Sequence, residues 1–140
     1  MQRKASAVWT GGLKDGKGKI STDSGLLKDA QYGFTSRFES GAGTNPEELI
    51  AAAHAGCFSM AFSGQLGAAT LTAQSIETTC TITMEKLEAG WTVTESKLDC
   101  AVTVPGADRA KVEQAAENAK KGCPISRLLN AKTSLNLKIA

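Results

Sequence analysis

Thr44-Asn45-Pro46-Glu47-Glu48-Leu49-Ile50-Ala51-Ala52-Ala53-His54-Ala55-Gly56-Cys57-Phe58-Ser59-Met60-Ala61 is the stretch on which the fold turns. It begins as helices begin. Thr44 or Asn45 can cap the first free amides, Pro46 stands where a missing N–H costs nothing, and Glu47 and Glu48 face the positive end of the helix dipole. From Leu49 to Ile76 the chain then runs for 28 residues without an Asp, Glu, Lys or Arg. That length raises the question of a membrane span. The composition answers it: the run is mostly Ala, Gly, Ser and Thr, carries His54, Gln65 and Gln74, and has glycine at 56, 64 and 67, so its transfer into lipid is poor. We read a helix from Pro46 to about Leu66, with so little charge on any side that it is expected to be covered on most of them. It is the central helix of a soluble domain.

Working outward, Ala5–Thr10 alternates through Ala5, Ala7 and Trp9, Lys17–Thr22 is short and β-compatible, and Gly33–Glu39 alternates again, with Gly11-Gly12 and Asp15-Gly16 as turns. Three N-terminal strands are predicted. After the helix, Ser75–Lys86 alternates through Ile76, Thr78, Cys80, Ile82 and Met84, and Trp91–Val104 answers it across Glu88-Ala89-Gly90 as a long hairpin. Pro105-Gly106 ends the hairpin. Asp108 caps a second helix whose Val112, Ala115, Ala116 and Ala119 form a narrow apolar stripe, and Gly122 stops it. Cys123-Pro124 restarts the chain into a short helix, Ile125–Leu129, with Cys123 at its N-cap, and Thr133, Leu135, Leu137 and Ile139 alternate as a last strand. The order is βββ-α-ββ-αα-β. Strands without regular βαβ alternation predict an α+β fold, mostly antiparallel, with the central helix buried on the sheet.

The length of 140 residues suits one domain, 1–140, able to bury about two-thirds of its unfolded surface. Hydrophobic residues at 41% and charged residues at 21% exclude a disordered chain. Sixteen Lys and Arg against fourteen Asp and Glu leave a net charge of +2, and seven aromatics are too few for a base-stacking platform, so no nucleic-acid partner is expected. The N-terminus enters polar–apolar alternation without the apolar core of a secretory signal, which predicts a cytoplasmic protein with no membrane attachment.

The cysteines at 57, 80, 100 and 123 would be reduced in that compartment, so each is judged separately. Cys57, inside an apolar helix, reads first as a small core residue. Cys123 reads two ways. An N-cap beside free helical amides, with Lys120 and Lys121 close before it, favours a thiolate, while packing alone would equally explain a cysteine there. Cys80 and Cys100, each about ten residues from Gly90, could approach across the hairpin, yet their alternating neighbours make them small apolar strand residues. There is no C-x-x-C, and His54 is the one histidine, so a zinc site would need distant cysteines to converge on it. Arg37 and Glu47 are either solvated charges or, if Ser40–Thr44 folds back, a pair in which the carboxylate orients a guanidinium toward Cys57.

Tyr32-Gly33-Phe34-x-x-Arg37-Phe38-Glu39, the Thr44–Ala61 stretch and Gly122-Cys123-Pro124-Ile125-Ser126 together resemble the OsmC branch of the OsmC/Ohr family, the osmotically inducible protein C type. The likeness runs from the Trp9 strand through the Gly18 and Ser24-Gly25 turns to the last strand. It implies an intertwined homodimer of cytoplasmic thiol peroxidases that reduce organic hydroperoxides and, less well, hydrogen peroxide. It also implies roles: Cys57 as the peroxidatic cysteine, Cys123 as the resolving cysteine, and Arg37 with Glu47 as the pair that activates Cys57. A dithiol or lipoyl-type reductant would reopen the Cys57–Cys123 disulfide, with no metal or organic cofactor. Phe34, Phe38, Phe58, Met60 and Phe62 would wall the site against an alkyl or aryl group. The rivals are a redox sensor that oxidises without turnover and a ligand-binding domain with four core cysteines.

Overall fold

The computed structural model describes residues 1–140 and divides into two compact units, Met1–Leu49 and Ile50–Ala140. The architecture is α+β, with two three-stranded sheets and four helices.

In the first unit β1 (Ala5–Thr10), β2 (Lys17–Thr22) and β3 (Ala30–Tyr32) form an antiparallel sheet in that order. Gly18 on β2 pairs with Trp9 on one side and Tyr32 on the other, and the two rings meet over it with centroids 5.5 Å apart. A Cβ at residue 18 would run into the Tyr32 ring, which is why glycine stands there.

The strand expected over Gly33–Glu39 is instead a short helix, α1 (Phe34–Phe38), and the third strand lies before it at Ala30–Tyr32, where none was expected, so the order is βββ-αα-ββ-αα-β. The reason lies in Ser36. Its hydroxyl accepts the Gly33 N–H at 2.9 Å and donates to the Thr44 carbonyl at 2.8 Å, closing a turn that an extended segment cannot make. Phe34 and Phe38, four apart, then contact each other on one helical face with centroids 4.9 Å apart. Thr44 returns to the sheet, its N–H bonding the Gln31 carbonyl at 2.9 Å. Asn45 is the helix cap, its Oδ1 accepting the Glu48 N–H at 2.8 Å while its Nδ2 holds the Ser36 carbonyl. Here α2 (Pro46–Ala68) begins, with Pro46 in its first turn as expected.

The second unit holds the rest of α2, β4 (Ser75–Leu87), β5 (Gly90–Thr103), α3 (Arg109–Gly122), α4 (Pro124–Leu128) and β6 (Lys132–Ile139). β4 and β5 are the long antiparallel hairpin, and β6 adds in parallel to the other edge of β5. Phe58, Phe62 and Leu66 of α2 pack with Leu98, Cys100 and Val102 of β5 and with Val112, Ala115, Ala116 and Ala119 of α3 in one core. The expectation that α2 is covered on most sides does not hold. Only His54, Phe58, Phe62 and Leu66 are buried, every fourth residue, which is the single stripe one helix can lay on one sheet. Met60 on another side is 79% exposed.

Candidate active site

Cys57 lies in the middle of α2, half-buried, one residue before the core stripe at Phe58. Cys123 is fully buried at the junction of two helices, the last cap of α3 and the first of α4. The local chemistry makes that junction. Pro124 has no N–H with which to continue α3, and its fixed φ suits the first turn of a new helix, so the chain breaks at Cys123, at ψ 126°, and restarts.

The break brings Cys123 against Cys57 with 2.7 Å between sulfurs, its S–H donating. All four cysteines are free thiols. Burial pushes the Cys57 thiol up from its ordinary value, and the neighbouring Cys123 adds to this, first through the hydrogen bond between the two thiols and least through charge repulsion; the Ile125 backbone N–H, donated toward Cys57, pulls the other way.

In the first unit Arg37 and Glu47 are brought together as anticipated. Arg37 Nη2 lies 2.7 Å from Glu47 Oε1, and Nε lies 3.2 Å from both carboxylate oxygens, a forked contact that fixes the plane of the guanidinium. Phe38 stacks 5.2 Å from the same guanidinium. Trp9, Leu13, Tyr32, Phe34, Phe38 and Pro46 join Arg37 around a cleft of about 300 Å³. Of the five side chains expected to wall the site, Phe34 and Phe38 line this cleft, Phe58 and Phe62 are wholly core and Met60 is exposed. Trp9 and Tyr32 were missed. They reach Phe34 and Phe38 only because α1 turns back on the sheet.

A match to the model of the OsmC-like protein family covers residues 39–138. Peroxiredoxin OsmC of Escherichia coli (strain K12) is 46% identical over 139 residues, 99% of this chain and 97% of the relative. The chain belongs to the OsmC-like protein family. Solved structures agree at the level of fold. The OsmC-like protein of Mycoplasma pneumoniae superposes with a TM-score of 0.78 at 14% identity, covering 100% of this chain and 98% of that one. The organic hydroperoxide resistance protein OhrB of Bacillus subtilis gives 0.69 at 24% identity, covering 98% of both.

The remaining cysteines of this OsmC-like chain do not pair. The register of the hairpin sets Cys80 opposite Leu98 and Cys100 opposite Thr78, so the two cysteines lie on a diagonal instead of face to face. Burial raises both thiols. Cys80 touches the Ser96 hydroxyl at 3.2 Å. His54 is also committed: its Nδ1 lies 2.6 Å from Ser96 Oγ and its Nε2 2.7 Å from Ser126 Oγ, leaving no ring nitrogen for a metal.

Proposed function

We propose that this chain is a cysteine-based peroxidase that reduces organic hydroperoxides, and hydrogen peroxide less well, to alcohols and water. The 2.7 Å approach of Cys57 and Cys123 carries the reading, since a pair of free thiols at that distance is placed to be oxidised and reduced reversibly. The Cys57 thiolate attacks the distal peroxide oxygen, the O–O bond breaks, and the alkoxide leaves as alcohol after taking a proton. Cys57 is then a sulfenic acid. The Cys123 sulfur attacks the Cys57 sulfur, the S–O bond breaks, and water leaves with the Cys123 proton as the disulfide forms. A dithiol or lipoyl-type reductant restores both thiols. Burial opposes the first step by raising Cys57, so the step needs a positive charge, which we assign to Arg37 held in orientation by Glu47. The cleft of Phe34, Phe38, Trp9 and Tyr32 beside that guanidinium suits an alkyl or aryl group better than a bare peroxide. The name of the Escherichia coli relative, Peroxiredoxin OsmC, supports the same reading.

We further propose that residues 1–140 act as one domain and as a homodimer in the cytoplasm. α2 supports the homodimer. It is long and apolar enough to cross a membrane, but its Phe58, Phe62 and Leu66 are already packed in a protein core, while Met60 is bare and a Cβ at Gly56, Gly64 or Gly67 would meet nothing within 4 Å.

The test is steady-state consumption of an organic hydroperoxide with a lipoyl-type dithiol and a monothiol side by side. Many turnovers per chain with the dithiol are expected. Cys57→Ser should abolish them, because an un-ionised hydroxyl cannot replace the thiolate. Cys123→Ser should oxidise at Cys57 but lose dithiol turnover and accumulate overoxidised Cys57 by mass spectrometry. A single oxidation without turnover in the native protein would identify a sensor, and full activity of Cys57→Ser would discard the site.

A further inference from the structure

His54 has no part in the chemistry above, yet its ring is fully buried and bonded at both nitrogens. Burial holds it below the ordinary histidine pKa, so the ring is neutral and one nitrogen donates while the other accepts. On one side Ser96 anchors it to β5, where Ser96 also meets Cys80. On the other side it reaches Ser126 in α4. The spacing gives this contact a meaning. His54 stands three residues before Cys57 on α2, and Ser126 stands three residues after Cys123, so the imidazole–hydroxyl bond joins the same two helices as the thiol pair, one turn away on each.

α4 has five residues, too few to hold a helical conformation or a position by its own backbone bonds. Its placement depends on side-chain anchors. The thiol–thiol contact is one of them, and oxidation of Cys57 to a sulfenic acid alters it by placing an oxygen on the accepting sulfur. At that moment two reactions compete. Attack by Cys123 forms the disulfide and releases water, whereas attack on a second hydroperoxide forms a sulfinic acid and a second alcohol.

We propose that His54 is a positioning residue for the resolving step: through Ser126 it keeps α4 docked while Cys57 is oxidised, so that Cys123 remains in reach and disulfide formation outruns overoxidation. This rests on the peroxidase reading for its biological use, but the positioning can be measured without peroxide.

The experiment compares native protein with His54→Gln, Ser126→Ala and Ser126→Thr in two arms. In the first, the hydroperoxide dose that overoxidises half of Cys57 is read by intact mass spectrometry, and the rate of the first oxidation by stopped flow. In the second, the Cys57–Cys123 disulfide is titrated in glutathione redox buffers. Losing the hydrogen bond should lower both the half-overoxidation dose and the disulfide equilibrium constant by about five- to tenfold. The first oxidation should stay within about twofold of native, because neither residue contacts the Cys57 sulfur. Ser126→Thr keeps the hydroxyl and should restore both readouts. Ser126→Ala decides the matter if His54→Gln does not fold. A shift in the glutathione arm with no peroxide consumption by native protein would sink the peroxidase reading and leave the positioning standing. Unchanged readouts in both arms for Ser126→Ala, or failure of Ser126→Thr to rescue, would overturn it.

Discussion

At the scale of one residue, the proposed peroxidatic role sets opposing demands on Cys57. It must be sheltered enough to admit an apolar substrate, and shelter raises its thiol. The same sulfur must be an anion to attack. Arg37 is the assigned remedy, and the sign of its effect is testable: a guanidinium near a thiol favours the thiolate, so its removal moves thiolate formation to higher pH, typically by about one to three units. Arg37→Ala should therefore slow Cys57 oxidation most at neutral and acidic pH and recover part of the rate in alkali. Rates of the first oxidation across that range, beside the thiolate absorbance titration, check it; if both curves coincide with native, Arg37 is a surface charge. Spacing left Cys57 as a core residue and Arg37 and Glu47 as open alternatives, and the proposed roles came from the family resemblance; in the structure Cys57 meets Cys123 and Arg37 meets Glu47. The partners of His54 were not legible. Ser96 and Ser126 lie 42 and 72 residues away, and no local period encodes which hydroxyl a buried ring will find.

At the scale of elements, alternation misled where a side chain could bond its own backbone. Gly33–Glu39 has the period of a strand, yet Ser36 closes a helical turn through Gly33 and Thr44, and this also brings Phe34 and Phe38 onto one face. The caps of α2, α3 and α4 were readable because each rests on one or two residues: Asn45 with Pro46, Asp108, which accepts the Ala110 N–H at 2.9 Å, and Cys123 with Pro124. The Thr83/Met84 bulge was not read, although the apolar alternation of β5 changes phase across it, from Trp91 and Val93 to Leu98, Cys100 and Val102. Gly18 permits a test of how tightly β2 supports the aromatic cleft. Adding a methyl there by Gly18→Ala forces Tyr32 off the sheet, and an overpacked contact of this kind costs about 1–3 kcal/mol. Urea unfolding should show that loss together with a raised KM for bulky hydroperoxides. Native stability and KM in Gly18→Ala would mean that the Trp9–Tyr32 stack is free to shift.

For the whole molecule, the uncharged side of α2 is where the proposed homodimer can be challenged. Met60→Glu places a carboxylate on it, and burying an unpaired charge costs several kcal/mol, enough to dissociate a modest interface. Sedimentation should find native protein as a dimer and Met60→Glu as a monomer or a mixture; an undiminished dimer would locate the interface elsewhere. The sheet of the second unit has a further consequence, for the way the chain is made. β5 is its middle strand, but β6, which completes it, begins 29 residues after β5 ends. A ribosome delivers β4 and β5 early, so the nascent hairpin waits with one full row of amides and carbonyls bare while α3 and α4 are still being synthesised. Such an edge is a template for strands of other chains. Lys97 and Asp99, ion-paired at 3.1 Å on β5, put charge along that edge during the wait and act as gatekeepers against mispairing. Newly made copies are thus most prone to aggregate just before residues 132–139 emerge.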